Sequence, residues 1–167
     1  SIYIQLKIQS KNNIQLFLNI DNRAIHFFMD PLLDVTVIQI KEEDSDIIEN
    51  VEFLNYDKNY LDGYDEYRNS DIFSLGYQNE DVIVNGNGKI TNINNWEFYH
   101  NIPTGPGSSC SPIILLNTSK IIGIHKNSNN SQKINQGTFI GIFVDKIKSN
   151  NIDINKSEFI FLDDDEI

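Results

Sequence analysis

One cysteine, one methionine, one tryptophan and four prolines are spread through 167 residues, and several of these scarcities remove an option. A lone Cys110 excludes an intrachain disulfide, so the chain is held by burial of apolar surface rather than by covalent cross-links. With no visible secretory signal, the same scarcity favours a reducing, cytoplasmic setting. Long apolar runs are missing too. Stretches such as 121–124 are soon broken by polar residues, well short of the roughly 18 that a membrane helix needs, so a membrane partner is not expected. Positive charge is scarce, with 13 Lys and Arg against 24 Asp and Glu and a net charge of -11. Such a surface repels a phosphate backbone, which argues against nucleic acid as a partner. Three histidines and one cysteine show no zinc spacing.

What the chain has instead is β-forming residues. Short segments rich in Ile, Val, Phe and Tyr alternate with Asn, Asp and Gly, as a series of antiparallel strands requires. Strands are expected near 2–8, 14–18, 24–28, 35–40, 71–75, 82–84, 89–93, 96–100, 112–115, 121–125 and 138–140, and many short strands at this spacing indicate a sandwich or barrel. Ile142, Phe143, Lys146 and Ile147 fall at helical spacing and predict one closing helix. The polar, tyrosine-rich segment 55–69 suits a connection between two β lobes. Within it, Asp57, Asn59, Asp62 and Gly63 suggest a calcium loop, but Leu61 stands where a ligand belongs, so no metal is expected. Acidic residues cluster at Glu42, Glu43, Asp44 and Asp46 and in the tail Asp163 to Glu166, and such runs are ordinarily solvated.

The segment most informative about chemistry is Thr104-Gly105-Pro106-Gly107-Ser108-Ser109-Cys110-Ser111-Pro112. Glycine and small residues around a serine, just ahead of a strand, let the backbone turn tightly and aim its N–H groups at one point beside the hydroxyl, the requirement for an oxyanion hole. This segment resembles the nucleophile motif of the trypsin-like serine peptidases, Gly-x-Ser-Gly-(Ser/Gly)-Pro. The resemblance places the nucleophile at Ser109 and the oxyanion hole at the N–H groups of Gly107 and Ser109. Cys110 departs from it, standing where the family has glycine. A cysteine nucleophile at Cys110 is the alternative, although relatives that use cysteine put it in the serine's own place.

The resemblance implies an all-β fold of two antiparallel six-stranded-type barrels, chymotrypsin-like, the first incomplete, with a short C-terminal helix. Residues 1–60 would be the remainder of the N-terminal barrel, 61–156 the C-terminal barrel with the nucleophile loop and helix, and 157–167 an acidic tail. Gly137-Thr138-Phe139-Ile140 fits the family's last strand before that helix. A serine nucleophile also needs a histidine base and a carboxylate to orient it. Asp34, leading Val35-Thr36-Val37-Ile38, matches the family's acid; Asp30, ahead of Pro31, is the alternative. His26 lies too close to Asp34 and inside an expected strand, so the sequence is expected to begin after the segment carrying the base.

Thr104 and His125 match positions by which glutamyl-specific members line the primary pocket, with Gly137 as a further substrate-binding residue. A hydroxyl and an imidazole together bind an anion without a fixed cation. His26 and His100 read as ordinary packed residues. The expected function is therefore a serine endopeptidase acting through an acyl-enzyme, possessing no cofactor, with a peptide or protein substrate and a preference for Glu or Asp before the cleaved bond. The alternatives are a pseudopeptidase or fragment that binds peptides without cutting, and an acidic interaction domain for basic partners.

Overall fold

The computed structural model describes residues 3–8, 14–28, 33, 35–78, 82–129, 134–149 and 158–162. The chain is all-β apart from short helices, and it divides into two compact units, residues 1–53 with 153–167, and residues 54–152. Among the described residues no helix is long and apolar enough to cross a membrane, and no three His, Cys, Asp or Glu side chains gather as a metal site.

In the first unit, β1 (Tyr3–Ile8) pairs antiparallel with β2 (Ile14–Asn19). Strand period decides the faces: Leu16 and Leu18 are buried while Phe17 between them is exposed. Two further strands, β3 (Ile25–Phe28) and β4 (Val35–Ile40), pair antiparallel, and β4 also pairs with a strand at 158–162. That last strand falls where the sequence suggested an acidic tail. Its Phe-Ile-Phe-Leu run is strand-forming and supplies the partner that an otherwise unpaired edge of β4 would lack. Because β4 is central, nearly all of its residues are buried on both faces.

A short helix, α1 (Ser45–Asn50), sets Ile47 against Leu16, Leu18, Ile38 and Ile40 to form this unit's core. Arg23 ties its loops together. The guanidinium donates to the carbonyls of Asn19 and Gln39 and makes a two-pronged pair with Asp44 at 2.7 and 2.9 Å. That pair holds the Asp44 carboxyl below the usual carboxylate range. The two sheets of this unit are separate, and a second closed barrel is not formed among the described residues.

The second unit is a closed six-stranded barrel. Its strands are β5 (Asp71–Gln78), β6 (Val82–Asn94), β7 (Glu97–His100), β8 (Pro112–Leu115), β9 (Ile121–Asn129) and β10 (Ile134–Phe139), with β11 the strand Glu158–Leu162 of the first unit. Around the barrel the order is β10, β7, β6, β5, β8, β9, all antiparallel. The sequence suggested two strands on either side of Asn85-Gly86-Asn87-Gly88, a turn-like run. The structure carries one strand through it, since β5 pairs along its whole length and Ile102 packs where side chains on Gly86 and Gly88 would stand.

Helix α2 (Gly141–Ser149) buries Phe143, Val144 and Ile147 as its apolar spacing required. The tyrosine-rich connection is not loose. Its two 3₁₀ turns bury Tyr60 and Tyr67, and Tyr64 stacks on Phe139 with ring centroids 4.5 Å apart. Asp57, read from sequence as a calcium-loop candidate, is buried and accepts from Tyr67 Oη and the Asn59 N–H, both at 2.9 Å. Both bonds fall on Oδ1, while Oδ2 lies 3.8 Å from Lys120 Nζ.

Candidate active site

The loop between β7 and β8 is built from two successive turns. The Ser108 N–H donates to the Gly105 carbonyl at 3.1 Å, and the Ser111 N–H to the Ser108 carbonyl at 3.2 Å. In each turn the third residue has positive φ, the feature of a type II turn: Gly107 at 86° and Cys110 at 61°. Pro106 suits the second position of the first turn, and Gly107 suits the third, so that turn is written in the sequence. The second turn demands glycine and receives cysteine, a backbone state that costs an L-residue with a Cβ roughly 1–2 kcal/mol.

Ser109 sits at the exposed crest between the two turns. Among the described residues, neither its hydroxyl nor the N–H groups of Ser109 and Gly107 make a hydrogen bond. Neighbouring groups are tied down instead. Cys110 N–H donates to the His125 carbonyl and His125 N–H to the Ser111 carbonyl, each at 2.9 Å, while the Gly105 N–H donates to Ser108 Oγ. The loop is thus pinned at both sides while the Gly107 and Ser109 N–H groups stay available to an acceptor. The same backbone bonds fix His125 relative to Ser109.

Beside the loop, the structure brings Thr104, Ser128, Asn135, His125 and His100 into one connected cluster. Thr104 Oγ1 donates to Asn135 Oδ1 and lies 2.9 Å from Ser128 Oγ, which in turn lies 3.5 Å from His125 Nε2. His125 Nδ1 faces His100 Nε2 at 3.2 Å, and Asn135 Nδ2 donates to the Ile102 carbonyl. Strand geometry explains the convergence. On β10, Asn135 and Gly137 share a face, and Asn135 stands opposite both His100 on β7 and Ser128 on β9. His125 and Ser128 are three residues apart and would face opposite ways on a regular strand. A register shift between Gln136 and Gly137 leaves one extra residue on β9 and returns both side chains to the same face.

Burial sets the electrostatics of this cluster. His125 is pushed down to about 4, and His100 to about 3 by burial and then by its histidine neighbour. Both imidazoles are neutral at pH 7. Gly137 lies across from His125, but a Cβ there would meet the Phe98 ring at 2.4 Å and the Ile124 carbonyl at 2.7 Å. Any contribution it makes to a pocket comes from backbone. Cys110 is partly buried.

Asp34 and Asp30, the two candidates for the orienting carboxylate, lie outside the described residues. His26 is in mid-strand on β3, opposite Val37, with Nε2 buried and unpartnered among the described residues. Ser128, Asn135 and His100 were not singled out as site residues from the sequence. The Ser128 hydroxyl is one of the cluster's links.

No protein-family model and no curated protein sequence matches this chain. Among solved structures, an inactive tobacco etch virus protease complexed with substrate superposes on 93% of the chain and 68% of its own length, at 16% identity and a TM-score of 0.51. A catalytically active form of that protease complexed with product covers 66% of this chain and 44% of its own at 16% identity, with a TM-score of 0.41. The tobacco vein mottling virus protease covers 53% and 40% at 15% identity, with a TM-score of 0.39. The chain therefore spans less than half the length of these last two. The first likeness shows the fold, that of a viral protease with a chymotrypsin-like barrel.

Proposed function

We propose that the chain is a peptidase domain in which Ser109 is the nucleophile. The observation that carries this reading is the double turn at 105–111, with Ser109 exposed and the N–H groups of Gly107 and Ser109 unengaged among the described residues. In the reaction, Ser109 Oγ attacks the peptide carbonyl, its proton passes to a histidine base oriented by Asp34, and the two N–H groups hold the oxyanion. The oxyanion then collapses, the peptide C–N bond breaks as the base returns its proton to the leaving amine, and water hydrolyses the acyl-enzyme. His100 and His125 do not suit the base, because both are buried and engaged with each other. Labelling with a serine-reactive fluorophosphonate, mapped by mass spectrometry, tests the reading: label on Ser109 that disappears in Ser109→Ala supports it. Label on Cys110, or none while peptides still bind, replaces it with a cysteine nucleophile or with the peptide-binding pseudopeptidase.

The pocket residues Thr104 and His125, with the backbone of Gly137, take the side chain before the cleaved bond, and the residue types support Glu or Asp there. The neutrality of His125 favours a second occupant for the same pocket, the amide oxygen of Gln or Asn. A carboxylate buried against neutral donors is left without a countercharge, whereas an amide is not. A panel of peptides varied only at that residue separates the two, and a preference for Arg, Lys or aromatic residues would reject both.

A further inference from the structure

We propose that His100 is a positioning residue that fixes the proton arrangement of the cluster, so that His125 presents an Nε2–H donor toward Thr104 and Ser128. The inference about function rests on the pocket reading above; the proton arrangement itself does not.

His100 Nδ1 is buried and unpartnered among the described residues. A buried bare nitrogen acceptor is tolerated more readily than a buried N–H with nowhere to donate. His100 is therefore the Nε2–H tautomer, and that proton points at His125 Nδ1, 3.2 Å away. His125 Nδ1 must then be an acceptor, so in the neutral ring the proton resides on Nε2.

The other end of the cluster demands the same direction independently. Asn135 gives its amide N–H to the Ile102 carbonyl, which leaves Oδ1 as an acceptor for Thr104. The Thr104 hydroxyl proton is thereby spent on Asn135, so Thr104 Oγ1 accepts from Ser128 Oγ, and Ser128 Oγ is left to accept from His125 Nε2–H. Every donor runs one way, from His100 through His125, Ser128, Thr104 and Asn135 to the Ile102 carbonyl. Two ends fixed by unrelated groups agree on the tautomer of the residue between them.

The chain has one weak link. His125 Nε2 to Ser128 Oγ is 3.5 Å, longer than a good hydrogen bond, while its neighbours are 2.9 to 3.2 Å. The Nε2–H is thus the donor most easily redirected to an incoming oxygen. Were His100 replaced by a residue that only accepts, His125 Nδ1 would take up a proton to donate to it, and Nε2 would no longer be fixed as the pocket's donor.

The test is two-bond ¹H–¹⁵N NMR of the full chain with ¹⁵N-labelled histidine at pH 7, which reads each tautomer directly and requires no turnover. Expected are Nε2–H for both His100 and His125. In His100→Glu, whose carboxylate only accepts, His125 should gain an Nδ1–H, whereas His100→Gln, whose amide donates again, should keep Nε2–H alone. An Nδ1–H tautomer or an imidazolium at His125 in the unaltered protein overturns the proposal, as does an unchanged His125 in a folded His100→Glu. Should His100→Glu fail to fold, the spectrum of the unaltered protein still decides. Loss of Ser109 labelling would remove the peptidase reading and leave these tautomers standing.

Discussion

Acidification from pH 7 to pH 5 should destabilise the barrel unit sharply, and the size of the effect follows from its two buried histidines. In the unfolded chain a histidine titrates near 6.5, whereas in the folded barrel His125 titrates near 4 and His100 near 3. Between these values the unfolded chain binds more protons than the folded one. Stability is therefore full above pH 6.5 and is lost as the pH falls toward the folded values. Linkage gives a loss of about 2 kcal/mol per histidine at pH 5, hence about 4 kcal/mol for the pair. With a urea dependence of about 2 kcal/mol per molar, the unfolding midpoint should drop by about 2 M. Trp96, the single tryptophan, lies in the β6–β7 turn and its carbonyl accepts from the Phe139 N–H, so its fluorescence reports on this unit. A midpoint that moves by less than about 0.5 M between pH 7 and pH 5 would refute the reasoning, since the histidines would then be charged or solvated in the folded state.

Cys110→Gly should raise the urea midpoint, because it removes about 1–2 kcal/mol of left-handed backbone cost against about 0.5–1 kcal/mol of added chain entropy; a lowered midpoint would show that the Cys110 side chain contributes more than its backbone costs. Gly137→Ala forces a Cβ into the Phe98 ring and the Ile124 carbonyl and should destabilise the barrel by about 1–3 kcal/mol in the same Trp96 assay. Arg23→Met leaves the Asp44 carboxylate without its buried partner and should cost the first unit about 3–5 kcal/mol, read by far-ultraviolet circular dichroism in urea. Each of these changes lies outside the His100–His125 pair, so the pH-dependent loss should persist in all three.

The parts legible in the sequence were those written locally. Pro106 and Gly107 spell a turn whose φ the structure reproduces, and the alternation in β2, the all-buried run of β4 and the apolar spacing of α2 each state their own burial. The departure at Cys110 was also visible, since a side chain at a glycine position is a local conflict. The strand at 158–162 was not, because its reason for forming is an edge on β4 more than a hundred residues earlier.

The sequence by itself determined a β-rich chain, a closing helix, a serine on a tight loop, and a threonine and histidine of the types a polar pocket uses. Only the tertiary structure decided that His100 faces His125, that Ser128 and Asn135 join them, and that both imidazoles are neutral. The physical reason is that strand periodicity predicts which face a residue takes only while the ladder is regular. The extra residue on β9 breaks that regularity, and its effect depends on a partner strand that closes the barrel. Neutrality, likewise, is a property of burial on every side, which no stretch of sequence encodes alone.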